Sequence, residues 1–441
     1  MFILGHKVDY FGGKIKMKKL LSIVLVLTMV TTLMVGCGSK NSDKTDGENQ
    51  LKVGVILIND NQDTYTKAHI DGLLDAAKEV GIESKNIIVR YNINKDNCAK
   101  TAKDLIGNGC SLIISNSYVH QDDMNKVSKD YSDVDFVAMS GDYAAISGNG
   151  NIYNAFTSIY QARYVSGVVA GMKIKEMAEQ KSIPKKCFDK NKNVKIGYIG
   201  SIPCPEVTSG YTAFYLGIKS IYKDVSMEVL YTKKGYNTKK DAEVAEKLIK
   251  DHNLIIGMHT DTKGAPKAIE KAKDSGTKVY SVGYNTSMLD VAEKSSLTSA
   301  ISNWKVYYKE LFQTVVDDGS IPKDWAEGYS ADAVAISELG DEAAKGTDKK
   351  VEEIEKKLKD GSLQVFDTST FTVNGKKIKS HMVDLSKFDT TKNPPTVLFK
   401  GEEKEAVESN EDITFFSEST LRSSPYFDLK IDGIKELNAK K

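Results

Sequence analysis

Continuous apolar runs alternating with helical patterns leave this chain few folds to choose from. Val53-Gly54-Val55-Ile56-Leu57-Ile58, Ile87-Ile88-Val89, Leu112-Ile113-Ile114 and Phe136-Val137-Ala138-Met139 are such runs, and Asn151 to Phe156 is a further short strand. Between them, Ile70, Leu73, Leu74 and Ala77 fall on one face of a helix over 64–80, with further helices predicted over 99–106 and 122–131. Strands apolar throughout, with helices between them, predict a parallel sheet covered on both faces.

The alternation then restarts. A long helix over 158–179 carries Ala162, Val165, Val169 and Met172, and its Gly167, Ala170 and Gly171 allow close packing on a sheet. After a linker over 180–193 come strands at Val194–Ile199, Met227–Tyr231, Leu254–Met258 and Val279–Val282, with helices over 207–221, 241–250 and 265–274 between them. One βα pattern occurring twice predicts two similar α/β lobes, each a doubly wound parallel sheet. A helix over 304–317 follows, and Val351, Ile354 and Leu358 define a smaller one ended by Asp360-Gly361. The rest reads as a β-rich C-terminal extension. Asn374-Gly375 after Phe371-Thr372-Val373 is a hairpin-turn signal, and Phe415-Phe416 and Pro425-Tyr426-Phe427 need cover, which suggests docking on the second lobe.

The N-terminal region carries an address. Met17-Lys18-Lys19 is basic, Leu20 to Val35 is a run of 16 mostly apolar residues, and Met34-Val35-Gly36-Cys37 closes it. This is a secretory signal, shorter than the roughly 20 residues a spanning helix needs. Cys37 directly after Val-Gly makes it look like a bacterial lipobox, so that Cys37 becomes the lipid-bearing N-terminus. Residues 1–16, with Asp9, Tyr10 and Phe11-Gly12-Gly13, do not fit a signal, so translation is expected to begin at Met17. Gly38 to Gln50 is polar and reads as a tether with a reach of roughly 20 Å.

Composition excludes several classes. A net charge of +1 gives no argument for a nucleic-acid partner. The six histidines are scattered, and the cysteines after Cys37 (Cys98, Cys110, Cys187, Cys204) lack metal-type spacing, so no metal or cofactor is expected. One disulfide, Cys187 with Cys204, or free buried thiols fit equally. No GxSxG, phosphate-binding glycine loop or HExxH occurs, and the reading is of a binding protein, not an enzyme.

In open α/β sheets ligands bind beyond the carboxyl ends of the strands. The residues there are polar and aromatic: Asn59, Asp60, Asp63 and Tyr65; Asn116, Ser117 and Tyr118; Gly141, Asp142 and Tyr143; Ser201 and Pro203; Thr260 and Asp261; Gly283, Tyr284 and Asn285. They suit a neutral, planar, hydrogen-bonding small molecule. Asp63 also suits a helix cap, and Tyr65 and Tyr118 also suit plain packing. Asp261 follows a fully apolar strand, where an unpaired carboxylate is costly. Trp304, after Asn303 at a helix start, suits either stacking on a flat ligand or packing a hinge.

These residues resemble the basic membrane protein family of lipoproteins, substrate-binding proteins of purine nucleoside-type ABC importers. The likeness rests on Asn154-Ala155-Phe156 with Gln161 to Gly171, on Lys195 to Gly200 with Pro205-Glu206-Val207 and Ala213-Phe214, and on His259-Thr260-Asp261-Thr262. Val282 to Met288 and Leu297 to Ala300 with Asn303-Trp304 and Tyr307-Tyr308 complete it. It runs from about residue 17 to 340, and Gly361 to Phe366 resembles the family's tail. The resemblance implies the type I periplasmic binding protein fold. It divides the chain into a signal over 1–36, a lipidated cysteine and tether over 37–50, a first lobe over 51–158 with about 304–340, a second lobe over 159–303, and an extension over 341–441. It also implies a ligand held by Asp63, Tyr65, Asn116, Tyr118, Asp261, Asn285 and Trp304, an ABC permease as partner, and a lipid anchor on the outer face of the cell membrane. The family's Asp-Lys-Ser-Phe-Asn is here Asp63-Thr64-Tyr65-Thr66, in which the asparagine is lost or replaced by Thr66, so nucleoside, free purine base and another small polar molecule stay open. A ligand-sensing regulatory lipoprotein and a surface adhesin are the alternatives.

Overall fold

The computed structural model describes residues 51–389, 394–410 and 413–439. The lipobox cysteine Cys37, the signal, the Met17 start and the tether lie outside the described residues.

The first sheet is built from strands β1 (Val53–Ile56), β2 (Ile87–Arg90), β3 (Leu112–Ser115), β4 (Asp135–Met139) and β5 (Ile152–Thr157). Helices α1 (Thr64–Val80), α2 (Lys95–Gly107) and α3 (Gln121–Ser128) connect the first four. Helix α4 (Ile159–Glu179) leads to a second series: β6 (Val194–Gly200), α5 (Pro205–Ile221), β7 (Val225–Tyr231), α6 (Thr238–Lys250), β8 (Ile255–Met258), α7 (Gly264–Asp274), β9 (Tyr280–Tyr284) and β10 (Ser296–Ser302). The chain then returns through α8 (Trp304–Val316) to β11 (Asp324–Glu327), and crosses again to β12 (Val334–Ile336).

The sheets run β11-β5-β4-β3-β1-β2 and β12-β10-β9-β8-β6-β7, with a late strand β19 (Ile434–Glu436) beyond β7. Every pairing is parallel except β10 with β12. Each sheet reverses its strand order once, between β1 and β3 and between β6 and β8. A crevice opens at such a switch point. β1, β3 and β8 are buried along their whole length, as helices on both faces require. This is the two-lobed α/β fold the alternation predicts.

Two expectations change and an open alternative is decided. The glycines of α4 face a helix, not a sheet: a Cβ on Gly167 would meet the Phe214 carbonyl oxygen at 2.2 Å, and one on Gly217 of α5 would meet that of Tyr164 at 2.1 Å. Residues 304–340 divide between the lobes, because β12 pairs with β10 of the second sheet while α8 lies against α1 and β11 joins the first. Cys98, Cys110, Cys187 and Cys204 are all free thiols. Phe188 bridges to Val194 at the start of β6, whereas Cys204 follows its end. The strand alone is roughly 20 Å long, far beyond disulfide reach.

After α9 (Thr347–Lys359), whose Val351, Ile354 and Leu358 are buried, the extension forms short antiparallel pairs. These involve β13 (Met382–Asp384), β14 (Lys387–Asp389), β15 (Thr396–Phe399), β16 (Glu403–Glu405), β17 (Val407–Asn410) and β18 (Ile413–Phe416). Asn374 and Gly375 both have positive φ, 51° and 76°, and Val373 bridges Lys376, as the hairpin signal predicts. Phe427 stacks on Phe366 at 4.3 Å and meets Phe416 edge-on at 4.7 Å, which covers the aromatic tail. Docking on the second lobe alone is too narrow an expectation: Phe399 stacks on Tyr143 of the first lobe at 4.8 Å, while β19 lies on β7 of the second.

Candidate functional site

A cleft of about 510 Å³ lies at the carboxyl ends of both sheets. The first lobe lines it with Ile58, Asn59, Asp63, Tyr65, Ser117, Tyr118, Val119, Ser140 and Phe156; the second contributes Ser201, Glu206, Lys234, Gly235, Tyr236, Asn237, His259, Asp261 and Tyr284. The lobes touch directly: Thr64 N–H donates to the Asp261 carbonyl oxygen at 3.0 Å, and Asn285 Nδ2 to Thr64 Oγ1 at 3.4 Å.

Asp63 is both cap and lining residue. Its Oδ1 accepts from Tyr65 N–H at 2.8 Å, and its Oδ2 from Asn59 Nδ2 at 2.6 Å and Thr66 Oγ1 at 3.1 Å. Those bonds satisfy orphan donors of the first turn of α1. Burial raises its carboxyl pKa despite them. Asp261 accepts one bond, from Asn285 Nδ2 at 2.9 Å, and Asn285 adopts φ 65° to supply it. Burial first, then the facing charges of Asp63 and Glu206, push the Asp261 carboxyl well above its ordinary value. So Asp261 holds its proton more readily than an ordinary aspartate and can act as donor or acceptor.

The Tyr65 ring is fixed from both ends. Its hydroxyl donates to the Asn116 carbonyl oxygen at 2.6 Å and lies 2.9 Å from Ser140 Oγ. Its ring meets His69 edge-on at 4.5 Å, His69 stacks on Trp304 at 4.1 Å, and His69 Nδ1 lies 2.7 Å from the Tyr308 hydroxyl. Trp304 is therefore one layer beneath Tyr65, in the core, and does not face the cleft. Asn116 is also behind the wall: its Oδ1 accepts from Ile58 N–H at 3.0 Å, which ties the ends of β1 and β3 together. Asn285 acts through Asp261. Of the expected set, Asp63, Tyr65, Tyr118 and Asp261 line the cleft, while Asn116, Asn285 and Trp304 support it.

The expected set lacks Glu206, His259 and Tyr284. Glu206 stands in the first turn of α5 after Pro205, and His259 Nε2 lies 2.9 Å from its Oε1. Burial and the neighbouring Arg163 guanidinium lower the His259 pKa, so the neutral ring donates from Nε2. Burial opposes the Glu206 charge, yet the His259 hydrogen bond and Arg163 hold its carboxyl below the usual range. Arg163, on α4, lies 3.6 Å from the centre of the Tyr284 ring and donates to the Met258 carbonyl oxygen at 2.5 Å. A first-turn Glu reads as an ordinary helix-terminus charge. Only its pairing with a residue 53 positions away marks it.

The site thus offers an aromatic wall and carboxylates of different protonation preference, suited to a flat molecule bearing hydroxyl or N–H donors. Among the described residues no cluster of His, Cys, Asp and Glu suits a metal ion, and no helix is long and apolar enough to cross a membrane.

The chain is similar to several known proteins in sequence and in fold. A purine-binding protein of Brucella abortus is 29% identical over 294 residues, covering 66% of this chain and 75% of its own. An ABC transporter nucleoside-binding protein of Lactococcus lactis is 19% identical, covering 70% of this chain and 84% of its own. A crystal structure of an ABC transporter solute-binding protein from Aeropyrum pernix shares the fold, with a TM-score of 0.59 at 14% identity over 72% of this chain and 93% of that one. The sequence profile described as ABC transporter substrate-binding protein, PnrA-like, matches residues 52–369, and the chain belongs to that family.

Proposed function

We propose that this protein is the lipid-anchored receptor of an ABC importer and that its cleft captures a nucleoside or a purine-like molecule. Family membership supplies the coarser part: a substrate-binding protein rather than an enzyme, working outside the cytoplasm at the membrane and handing a small molecule to a permease. The finer part rests on one observation, the convergence of Tyr65, Phe156 and Tyr284 with Asp63, Asp261 and Glu206 in one cleft. A heterocycle would stack on the ring faces while sugar hydroxyls or ring N–H groups donate to the carboxylates. The cleft volume falls within the range of small-molecule sites. The purine-binding and nucleoside-binding relatives support the same ligand class.

A thermal-shift screen against nucleosides, nucleobases, sugars and amino acids tests the ligand. A binder at about a hundred times its Kd adds roughly 2.7 kcal/mol of stability. A response confined to nucleosides or bases, lost in Asp261→Ala, is the expected result; a hit only among sugars or amino acids would discard the ligand class. The anchor rests on Val35-Gly36-Cys37. Wild type should incorporate labelled palmitate and Cys37→Ser should not, and equal labelling of the two would refute lipidation at Cys37.

A further inference from the structure

The family match ends at residue 369, yet the chain runs on to 441 and attaches to both lobes. On the first lobe, besides the stacking of Phe399 on Tyr143, the extension makes contact through Lys387, in the β14–β15 pair. Its ammonium group donates to the Tyr118 hydroxyl and to Asp142 Oδ1 at 3.1 Å, and lies 4.3 Å from the centre of the Tyr118 ring. Asp142 also accepts from the Tyr118 hydroxyl at 2.9 Å, which closes a triangle. The Lys387 and Asp142 side chains are only 9% and 13% exposed, so neither charge can be left alone without cost. Tyr118 itself lines the ligand cleft.

On the second lobe the same extension becomes a sheet strand. β19 pairs with β7 in parallel, Met227 N–H donates to the Gly433 carbonyl oxygen at 2.9 Å, and the Asn438 side-chain amide brackets the Tyr231 backbone at 2.8 and 2.9 Å. The chain already crosses between the sheets after β5, β10 and β11. The extension adds a fourth connection, and its first-lobe end grips a cleft residue.

We propose that Lys387 is a positioning residue of the ligand cleft, through which the C-terminal extension sets the stance of Tyr118 and ties that rim to the second sheet. This rests on the reading of the cleft as the ligand site. Tyr118 is itself 45% exposed, and its hydroxyl is held by Asp142 and Lys387, so its place at the rim depends on the triangle.

The test compares full-length wild type with Lys387→Met, Lys387→Arg and the pair Lys387→Met with Asp142→Asn, which leaves no unpaired buried charge. Two readouts are taken: calorimetric titration with inosine, adenosine and guanosine, and amide hydrogen exchange over residues 115–122 without ligand. Both methionine variants should lose roughly tenfold in affinity and exchange faster over 115–122, with Lys387→Arg nearer wild type in both. If both methionine variants titrate and exchange as wild type does, the extension is only cover and the proposal is overturned. If wild type takes up no nucleoside, the ligand reading falls by itself and the exchange readout decides: unchanged protection over 115–122 overturns the positioning role, and faster exchange sustains it.

Discussion

Asp261 carries a conflict that a binding site can use. It is enclosed with Asp63 and Glu206, and all three would repel one another if ionised in an empty cleft. A carboxyl whose pKa is raised in the folded state binds its proton more tightly there than in the unfolded chain. Its contribution is therefore most favourable below the ordinary aspartate value and is lost as pH rises through the raised one. Ligand-free protein should lose stability as pH rises through the range above the ordinary aspartate value, and Asp261→Asn should flatten that fall while weakening ligand binding. Urea unfolding of the two proteins across that range checks the sign; equal slopes would mean that Asp261 is an ordinary carboxylate. At this scale the sequence places Asp63, Tyr65, Tyr118 and Asp261 on the cleft because each follows the end of an apolar strand. It misplaces Trp304, since a tryptophan at a helix start looks alike whether its ring faces solvent or packs beneath His69. It passes over His259 and Glu206 because their meaning lies in a contact between β8's end and α5's start.

Among the elements, the contact of α4 with α5 depends on missing side chains. Gly167 and Gly217 each face the other helix's backbone, which cannot retreat as a side-chain tip can. Gly217→Ala should therefore destabilise by about 1–3 kcal/mol despite alanine's better helix propensity. Guanidinium unfolding measures it, and an unchanged midpoint would show that the helices separate freely. The small-residue pattern of α4 is legible in sequence, but its partner is not. Helix and sheet both welcome small residues, and only the return of α5 beside α4 decides between them. β12 was hidden for a related reason. Three residues, Val334–Ile336, make too short a run to show a period, and pairing with β10 defines the strand.

For the whole molecule, two doubly wound sheets with their carboxyl ends facing one cleft follow from the repeated alternation of the sequence. The C-terminal extension does not follow from it. Its strands are short and partly exposed, so burial leaves little periodicity in them. Its roles come from contacts hundreds of residues away, such as Lys387 with Tyr118 and Asn438 with Tyr231. The central claim is that the cleft between these sheets binds a purine-like ligand through the second lobe's Asp261. Calorimetric titration of guanosine, adenosine and inosine into wild type and Asp261→Ala tests it most directly. Saturable one-to-one binding to wild type, weakened at least roughly tenfold in the variant, is the expected result. No binding of any of the three to wild type, or equal affinity in Asp261→Ala, would contradict it.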